Sequence, residues 1–218
     1  GVERRGKHIL VRLSGGVTLH THLRMSGNLY VIPDHRFHSV YARVIVELGG
    51  GRGIVLEDKR ALARMDALAD EEIDGRLDAE LGPEPLGAAF TPEAFAARAR
   101  GCRQPAKLFL MDQRNVAGLG NIYAAEALFR ARINPRKEIG RISPGKLRGL
   151  HAVIVGVLSD AVESAVAAYA GPGAFHSEEN FPVAVYDREG EPCVTCHRRI
   201  VRIPQGGRST YFCPGCQR

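Results

Sequence analysis

The first part of the chain alternates apolar and polar residues with the period of two that half-buried β-strands require. The alternating runs are HILVRL, VTLHTHLRM, ARVIVEL and GIVLED, all within residues 8–57. The segments SGG and GGGR separate neighbouring runs, which is the pattern of β-hairpins. The sequence therefore predicts antiparallel sheets, packed as a sandwich or a barrel, over residues 1–80.

The period changes from 2 to 3.6 after residues 81–91, which are rich in Pro and Gly and are typical of a linker. Thr91, Pro92 and Glu93 form a helix start, with a hydroxyl cap followed by a Pro that needs no N–H partner. Further helices are predicted over 106–111, 121–131 and 144–168. A helical domain is thus expected over 92–172, with a turn at DQRNVAGLG.

The part of the chain that follows the helices has no helical period. Residues 170–182 are interpreted as a loop, and VAVYDREGEP (183–192) as a strand that leads into a cysteine-rich C-terminus. We therefore expect a loop and strand over 173–187 and a separate C-terminal unit over 188–218.

The charge balance of the chain points to a polyanionic partner. The net charge is +6 and the isoelectric point is about 9.3, which suits nucleic acid or an anionic membrane surface. In the sequence, no apolar run reaches the roughly 18 residues of a membrane span. The first residues also lack the apolar stretch of a signal peptide. Nucleic acid is therefore favoured over membrane, and a cytoplasmic location is expected.

Two cysteine pairs near the C-terminus have the spacing of metal ligands. Cys193 and Cys196 form one C-x2-C pair, and Cys213 and Cys216 form a second. This pattern is typical of a four-thiolate zinc ribbon, with RIVRIP and RSTYF as its strands and QGG as its turn. It predicts one structural Zn²⁺, with a redox dithiol pair as the alternative. Cys102 is isolated and is interpreted as an inert thiol.

The predicted zinc hairpin is strongly basic. No acidic residue lies between Cys193 and Cys216. This charge favours contact with phosphates, and a solvated basic face is the alternative. Arg208 follows Gly206 and Gly207 at the hairpin tip and is the arginine expected to reach a substrate. The arginines between the cysteines are Arg198, Arg199, Arg202 and Arg208.

A second candidate anion site lies in the helical part of the chain. The glycine turn ends at Gly120, and Asn121 opens the next helix. Backbone N–H groups of such a turn and helix start attract anions, and Asn121 can add a side-chain donor. Lys107 and Arg103 lie upstream, where they could flank the same phosphate. Ordinary helix capping is the alternative.

Four motifs together resemble the Fpg/Nei family, the formamidopyrimidine-DNA glycosylases and endonuclease-eight-like enzymes. They are RRGKHILVRL, HLRMSG, LMDQRNVAGLGNIYAAEALF and GRSTYFCPGCQ, in family order over nearly the whole chain. The resemblance implies an α+β multidomain fold with an antiparallel β-sandwich, a helix-two-turn-helix domain and a C-terminal zinc ribbon. It also implies a monomer that flips oxidised bases out of duplex DNA. Schiff-base chemistry and β/δ-elimination then follow.

The resemblance assigns roles to individual positions. Lys7 resembles the lysine of proton transfer in β-elimination, and Arg208 resembles the finger arginine that clamps phosphates. Met25 resembles the residue that fills the gap left by the extruded base. The alternatives are a solvated strand lysine for Lys7 and a core methionine for Met25. The loop at 173–182 would close over the damaged base. The remaining expected DNA contacts are His22 (or a structural histidine), Arg43, Arg60, Leu62, Arg103, Lys107, Gly120 and Asn121.

One family loop is altered in this chain. The family pattern DPRRFG is DKRALA here, residues 58–63. Arg60 can still serve as the loop arginine, and Leu62 would be a smaller wedge than phenylalanine. Ala61 and Ala63 replace an arginine and a glycine. These residues favour a divergent or Nei-like branch.

The family nucleophile, an N-terminal Pro with a Glu partner, belongs several dozen positions before the Lys7 motif. Gly1 is not its equivalent. We expect the gene to encode that segment, and residues 1–218 alone to give no borohydride-trapped adduct with DNA. The alternative is a non-catalytic damaged-DNA-binding protein on the same scaffold, which the altered 58–63 loop favours. The codons after the gene's start would separate the two.

Overall fold

The computed structural model describes residues 1–36, 38–169 and 181–218, without the side chains of 168 and 169. The chain divides into two compact units, Gly1–Glu80 and Leu81–Arg218. Each unit buries its own set of apolar side chains. The predicted closing loop at 173–182 falls almost entirely outside the described residues.

The first unit consists of two antiparallel sheets, as the alternating pattern predicted. One sheet has the strand order β1-β2-β3-β7 and the other has the order β4-β6-β5. Leu10 of one sheet and the adjacent Val55 and Leu56 of the other are buried in the core of this unit. The predicted antiparallel β-sandwich is confirmed. The strands are β1 Val2–Arg5, β2 His8–Arg12, β3 Val17–His22, β4 Gly27–Ile32, β5 Ala42–Glu47, β6 Gly53–Asp58 and β7 Arg64–Ala69.

A helix, α1 (Asp70–Glu80), closes the first unit and was not predicted from the sequence. It packs on β3 and β7 through Ile73 and Leu77, which are one helical turn apart and fully buried. Its other residues are mostly polar, so the helix has only a weak apolar stripe. Ion pairs add to its attachment, since the Arg12 guanidinium lies 2.7 Å from the Asp74 carboxylate.

The second unit begins with a small helical bundle. Thr91 caps the first of its helices by accepting a hydrogen bond from the Ala94 N–H at 3.1 Å, as predicted. The longest helix buries Leu147, Leu150 and Ile154 along one stripe in the bundle core. The helices are α2 Pro92–Ala99, α3 Ala106–Met111, α4 Asn121–Arg130 and α5 Pro144–Tyr169.

Part of α5, Pro144–Ala167, is long and apolar enough to cross a membrane, with a mean hydropathy of 1.6. This corrects the expectation that the sequence holds no such segment. However, its buried stripe packs against α2 and α4 in the core of the bundle. The core helix of a globular domain passes the same length and hydropathy test, so this helix is weak evidence for a membrane span.

The predicted linker, residues 81–91, is packed onto the second unit. The Gly82 N–H donates to the Gln113 carbonyl at 2.8 Å, and the Ala117 N–H donates to the Pro83 carbonyl at 3.1 Å. A Cβ at Gly82 would lie 2.2 Å from the carbonyl oxygen of Arg114. Only glycine fits this close approach, so the segment is fixed to the α3–α4 turn.

The C-terminal residues form a two-stranded hairpin, as predicted from RIVRIP and RSTYF. Strand β8 is Val201–Gln205 and strand β9 is Arg208–Phe212, paired antiparallel with Gln205 opposite Arg208. The two turn residues, Gly206 and Gly207, have φ values of 58° and 73°. Two positive φ angles define the hairpin turn that matches strand twist, and glycine adopts them without strain.

The strand predicted over 183–192 is wrong. These residues form bends and turns, and an isolated bridge pairs Pro192 with Arg199. The Glu126 carboxylate of α4 accepts the N–H groups of Ala184, Val185 and Tyr186 at 2.8, 2.9 and 2.9 Å. Three consecutive N–H groups can converge on one carboxylate only if the backbone turns. A β-ladder is therefore replaced by a side-chain acceptor.

Candidate functional site

The two cysteine pairs come together in a site that fits one tetrahedral metal ion. All four Sγ atoms lie within 4.8 Å of one another. Cys193 and Cys216 have their Sγ atoms 3.8 Å apart, and those of Cys196 and Cys213 are 3.4 Å apart. Tetrahedral zinc with Zn–S bonds of about 2.3 Å places its sulfurs roughly 3.8 Å apart. The donor set therefore fits one structural Zn²⁺.

The backbone of the first C-x2-C knuckle favours the thiolate form of Cys193, which is the form that a metal requires. Burial of Cys193 opposes ionisation, but the backbone N–H groups of Thr195 and Cys196 donate toward its sulfur. The net result lowers the pKa of Cys193 to about 7. The Thr195 N–H lies 3.4 Å from that sulfur. Local backbone geometry thus prepares this ligand before the metal binds.

The tip of the zinc hairpin exposes Arg208 and packs its turn against the helical bundle. A Cβ at Gly206 would lie 2.6 Å from Leu108 Cδ2, so the turn sits directly on α3. Farther from the tip, Val185, Ile200 and Tyr211 pack on Ala125 and Phe129 of α4 in a second small core. The position of Arg208 relative to α4 is therefore fixed by packing.

One backbone carbonyl connects the hairpin tip to both helices of the helix-two-turn-helix. The Ser209 carbonyl accepts from Lys107 Nζ of α3 at 2.8 Å and from Asn121 Nδ2 of α4 at 3.2 Å. Lys107 Nζ also donates to Thr210 Oγ1 at 2.7 Å. Arg208 precedes this carbonyl directly. The arginine tip and the glycine-preceded helix start are thus held side by side.

The location of Lys107 corrects the expectation of a surface contact that flanks a phosphate. Its side chain is fully buried and lies beneath the hairpin. Burial and, secondarily, the charge of Arg208 lower the pKa of Lys107 to about 8. Its ammonium therefore supports the backbone that carries Arg208. Arg103, the other flanking candidate, is exposed in the loop that precedes α3.

The two turns between α3 and α4 are held together by one glutamine. Gln113 Nε2 donates to the carbonyls of Met111 and Leu119, each at 3.0 Å, and its Oε1 accepts from the Gly118 N–H at 2.8 Å. Gly118 has a φ of 78°, which a side-chain-bearing residue rarely adopts. This bonding brings the chain to Gly120, the N-cap of α4.

The start of α4 is left open. Gly120 is the N-cap, and within the described residues no side chain caps the first N–H groups of the helix. Asn121 was expected to offer its amide to a ligand, but Nδ2 is engaged with Ser209. Its Oδ1 is buried and has no partner among the residues that the structure describes. The positive end of the helix dipole is thus presented without an internal acceptor.

A groove of about 500 Å³ runs beside the hairpin tip. Arg202 Nε donates to Ser209 Oγ at 2.9 Å, and its Nη1 lies 3.6 Å from a carboxylate oxygen of Glu189. Arg199 Nη1 is bonded to the Gly190 carbonyl at 2.7 Å. The basic hairpin therefore contains arginines with protein partners as well as Arg208 at its tip. The groove is lined by Glu189, Arg202, Pro204, Gly207, Arg208 and Ser209.

In the first unit, Lys7 is exposed in the two-residue turn between β1 and β2. His22 is near it, since the charges of Arg24 and Lys7 add to burial in lowering the pKa of His22. His22 Nδ1 accepts the Arg24 N–H at 3.0 Å, so its proton resides on Nε2. The structure brings these two predicted contacts to the same edge of the sheet.

Two further histidines continue from His22 into the interior. The His8 ring meets the His22 ring edge-on, with centroids 4.8 Å apart, and stacks on His20 at 5.0 Å. Arg76 of α1 lies 3.2 Å from His20 Nδ1 and can only donate, which favours a proton on His20 Nε2, while a carboxylate oxygen of Asp66 lies 3.7 Å from the same Nδ1. That N–H donates to His8 Nδ1, 2.7 Å away. Arg76, His20 and His8 thus lie in one chain of close polar contacts.

The loops that carry Met25, Arg60 and Leu62 are fixed by Asp58. Met25 is 62% exposed and Leu62 is 44% exposed, so neither is a core residue. The backbone N–H groups of Arg60 and Leu62 donate to the buried Asp58 carboxylate at 3.0 and 2.6 Å. Arg43 Nε donates to the Asp58 carbonyl at 2.8 Å. Arg43, a predicted DNA contact, thus has a structural bond at this loop.

Sequence reasoning did not identify Glu126 and Asp58 as organising carboxylates. Glu126 lies within the apolar run YAAEALF. A carboxylate on an apolar helix face is buried, and a buried carboxylate requires hydrogen-bond donors around it. Asp58 ends a strand just before a turn, where an aspartate side chain commonly accepts backbone N–H groups. Both signals were available in the sequence.

Three family models match the chain in series. The N-terminal domain of formamidopyrimidine-DNA glycosylase matches residues 1–65, and its H2TH domain matches residues 81–169. The zinc finger found in FPG and IleRS matches residues 190–218. Together these models account for the β-sandwich, the helical bundle and the cysteine site.

Curated relatives match over the whole chain. The formamidopyrimidine-DNA glycosylase of Cereibacter sphaeroides is 41% identical over 100% of the chain and 82% of its own length. The protein of the same name from Chloroflexus aurantiacus is 41% identical over 99% of the chain and 78% of its own length.

Solved structures show the same architecture. MutM in complex with DNA that contains carbocyclic 8-oxo-G has a TM-score of 0.89 at 28% identity, over 100% of this chain and 80% of that one. MutM (Fpg) from Thermus thermophilus has a TM-score of 0.83 at 36% identity, over 99% and 81%. With the cysteine site, the Gly120–Asn121 helix start and Arg208 all in place, the chain belongs to the formamidopyrimidine-DNA glycosylase family.

Proposed function

We propose that the protein is a DNA glycosylase and AP lyase of base excision repair, acting on duplex DNA with oxidised bases or abasic sites. Relatives of the same fold support this substrate class. One MutM structure holds DNA with carbocyclic 8-oxo-G, and Lactococcus lactis Fpg is bound to DNA with an AP site. The net charge of +6 suits such a polyanionic partner.

The observation that carries the proposal is the junction at Ser209. Its carbonyl fixes Arg208 beside the start of α4 through Lys107 and Asn121. A guanidinium and an uncapped helix N-terminus are both anion-binding groups. Held side by side, they suit successive phosphates of one DNA strand. The zinc ion, when bound to the four cysteines, supplies no chemistry and keeps the hairpin folded.

The remaining roles follow from exposure and chemistry. Lys7, exposed at a turn tip, transfers protons in β-elimination. His22 and Arg60 contact the backbone of the DNA. Met25 and Leu62 enter the helix where the damaged nucleotide leaves it, because exposed apolar side chains on fixed loops can replace lost base stacking. Arg103 and Gly120 complete the phosphate contacts of the helical domain.

The functional division of the chain is proposed from the same features. The β-sandwich spans 1–80, the linker 81–91, the DNA-binding helical domain 92–172 and the zinc finger 188–218. Residues 173–187 form the lesion-side segment, although 173–180 lie outside the described residues. The matched relatives are formamidopyrimidine-DNA glycosylases of Cereibacter sphaeroides and Chloroflexus aurantiacus. We place this protein in the bacterial cytoplasm, as a monomer at the nucleoid.

Binding to a duplex with a tetrahydrofuran abasic analogue tests the phosphate site. Arg208→Ala should weaken binding by about 10-fold and reduce the slope of log affinity against log salt by about one. Arg148→Ala removes the same charge from an exposed position on α5 and should change binding less than 2-fold, on the order expected of a distant surface charge. Equal losses of DNA affinity in Arg208→Ala and Arg148→Ala would contradict the proposed phosphate site.

Strand cleavage tests the chemistry. The full-length gene product should cut a duplex with 8-oxoguanine and form a DNA adduct that borohydride traps. Tight binding to the abasic analogue without any cleavage or adduct would instead support a non-catalytic damaged-DNA-binding protein on this scaffold. A steep salt dependence is expected of both and does not separate them.

A further inference from the structure

Two neighbouring loops of the first unit each present an exposed apolar side chain. Residues 23–26, between β3 and β4, form the first wedge loop and carry Met25. Residues 59–63, between β6 and β7, form the second wedge loop and carry Leu62. These side chains are 62% and 44% exposed. The roles proposed above for Met25 and Leu62 require both to enter the same DNA duplex.

A single buried carboxylate joins the two loops. Asp58 Oδ1 accepts from the Ser26 hydroxyl at 2.5 Å, and Oδ2 accepts the N–H groups of Leu62 and Ala63 at 2.6 and 2.7 Å. Burial opposes its ionisation, but the Ser26 hydroxyl and the backbone N–H groups hold the pKa of Asp58 well below its usual range. The carboxylate is therefore charged, and its hydrogen bonds are charge-assisted.

The second wedge loop also packs against the first residue of β4, which directly follows the first wedge loop. Gly27, which pairs with Asp58 across β4 and β6, has no side chain, and a Cβ there would lie 2.9 Å from Ala63 Cβ. Such a Cβ would also lie 2.5 Å from the Leu23 carbonyl. The backbone at Gly27 is thus enclosed by Leu23 of the first wedge loop and Ala63 of the second, with no room for a side chain.

Each loop contains a residue in a conformation that it would not hold alone. Arg24 has a φ of 57° and Ala61 has a φ of 52°. Side-chain-bearing residues occupy this left-handed region at a cost of roughly 1 kcal/mol or more. The hydrogen bonds to Asp58 and the Gly27–Ala63 contact over-determine the local backbone. The strain is therefore held in place by the connection between the loops.

We propose that Asp58 is a positioning residue that makes the two wedge loops one rigid unit, so that Met25 and Leu62 insert into DNA together. This inference rests on the proposed function, because it assumes that both side chains enter the duplex. Pre-organisation of this kind removes the entropy cost of ordering two loops separately on binding.

A double-mutant cycle on DNA affinity tests the coupling. The probe is a duplex with a tetrahydrofuran abasic analogue opposite 2-aminopurine, whose fluorescence reports loss of stacking. Met25→Ala and Leu62→Ala should each weaken binding to the analogue. With Asp58 in place, the loss of affinity in the double variant should differ from the product of the two single losses by about 3- to 30-fold. This is within the range seen for residues of one network.

The connecting residues are then changed. Ser26→Ala removes only the bond from the first wedge loop, and Asp58→Asn places an amide N–H₂ against donors. In either background the Met25 and Leu62 effects should become multiplicative, and the fluorescence rise on binding should shrink. Asp34→Asn is the matched control, because Asp34 also accepts a backbone N–H within its own loop, from Arg36 at 3.0 Å. It should leave the coupling unchanged.

The outcomes separate this inference from the proposed function. In one outcome the protein prefers the analogue duplex to an undamaged one, while the effects of Met25→Ala and Leu62→Ala on affinity simply multiply in the presence of Asp58. In that case the proposed coupling is wrong and the proposed function stands. Coupling that persists in Ser26→Ala and Asp58→Asn also overturns the role of Asp58. A wild-type protein that shows no preference for the analogue duplex overturns both.

Discussion

Lys107 Nζ donates to the carbonyl oxygen of Ser209 at 2.8 Å, although the two residues are 102 positions apart in the chain. The bond joins a fully buried lysine of α3 to the residue that follows Arg208. A buried ammonium costs free energy unless strong acceptors surround it. Its burial is therefore explained by support of the hairpin backbone, with Thr210 Oγ1 as a second acceptor.

Replacement of that lysine should impair catalysis more than folding. In Lys107→Met the hydrophobic stem is kept, but the Ser209 carbonyl loses its charged donor and Arg208 loses its fixed position. A displacement of about 1 Å in a clamping group can cost about 100-fold in rate. We expect a loss of that order in single-turnover strand cleavage by the full-length gene product.

The control for Lys107→Met is Lys146→Met, since Lys146 is exposed on α5. The thermal unfolding midpoint of each variant should stay within a few degrees of the wild-type value. Lys107→Met removes a charge from a buried site, and Lys146→Met removes a charge from the surface. Full cleavage activity in Lys107→Met would show that Arg208 is positioned without it.

Metal removal should unfold the hairpin that carries Arg208. The hydrophobic core of this unit is small, and structural zinc sites supply much of the folding free energy of such units. Metal analysis should give one zinc per chain. Cys213→Ser should lose the metal and weaken binding to abasic-analogue DNA at least as much as Arg208→Ala, whereas Cys102→Ser should retain both. Full binding in metal-free protein would contradict this role.

The buried carboxylate of Glu126 should stabilise the connection between α4 and the hairpin. In Glu126→Gln an amide N–H₂ must face at least one of the three N–H donors from Ala184, Val185 and Tyr186. Loss of charge-assisted bonds in a buried site costs about 2–4 kcal/mol. Thermal unfolding should report the loss, and amide exchange at 184–186 should accelerate. Glu163→Gln, an exposed change on α5, should do neither.

Features of the fold that depend on neighbouring residues could be predicted from the sequence. The Thr91–Pro92 helix start, the Gly206–Gly207 turn and the cysteine spacing each act within a few positions, so pattern and propensity identify them. The alternating strands were also evident, because a half-buried sheet imposes its period on the sequence directly.

Features that depend on distant partners could not be predicted in the same way. The segment at 183–192 has a strand-like composition, but its N–H groups bond to Glu126, 58 or more positions earlier. Lys107 was placed at the surface because lysine is rarely buried. Its acceptors lie on β9, and no local signal reveals them. Helix α1 was missed because only Ile73 and Leu77 form its apolar stripe.

The histidines under α1 predict how acid affects the first unit. Burial, followed by the charges of His22, His20, Arg76 and Arg24, lowers the pKa of His8 from 6.5 to about 4. The same burial and the charge of Arg76 lower the pKa of His20, which Asp66 and Glu80 partly oppose. The folded unit therefore holds these rings neutral, while the unfolded chain protonates them below about pH 6.5.

The stability contributed by neutral His8 is full above pH 6.5 and is lost as the pH falls from 6.5 toward 4, because the unfolded state then binds the extra proton. The loss should amount to about 1–3 kcal/mol after allowance for partial solvent screening. Amide exchange in β2 and β3 should accelerate over this window, and the His8 ring resonance should titrate near pH 4. His8→Phe keeps the stacking on His20 and should flatten the pH dependence, whereas His38→Gln, an exposed change, should not. A midpoint near 6.5 for His8 would show that its ring is solvated and that the Arg76–His20–His8 chain does not form.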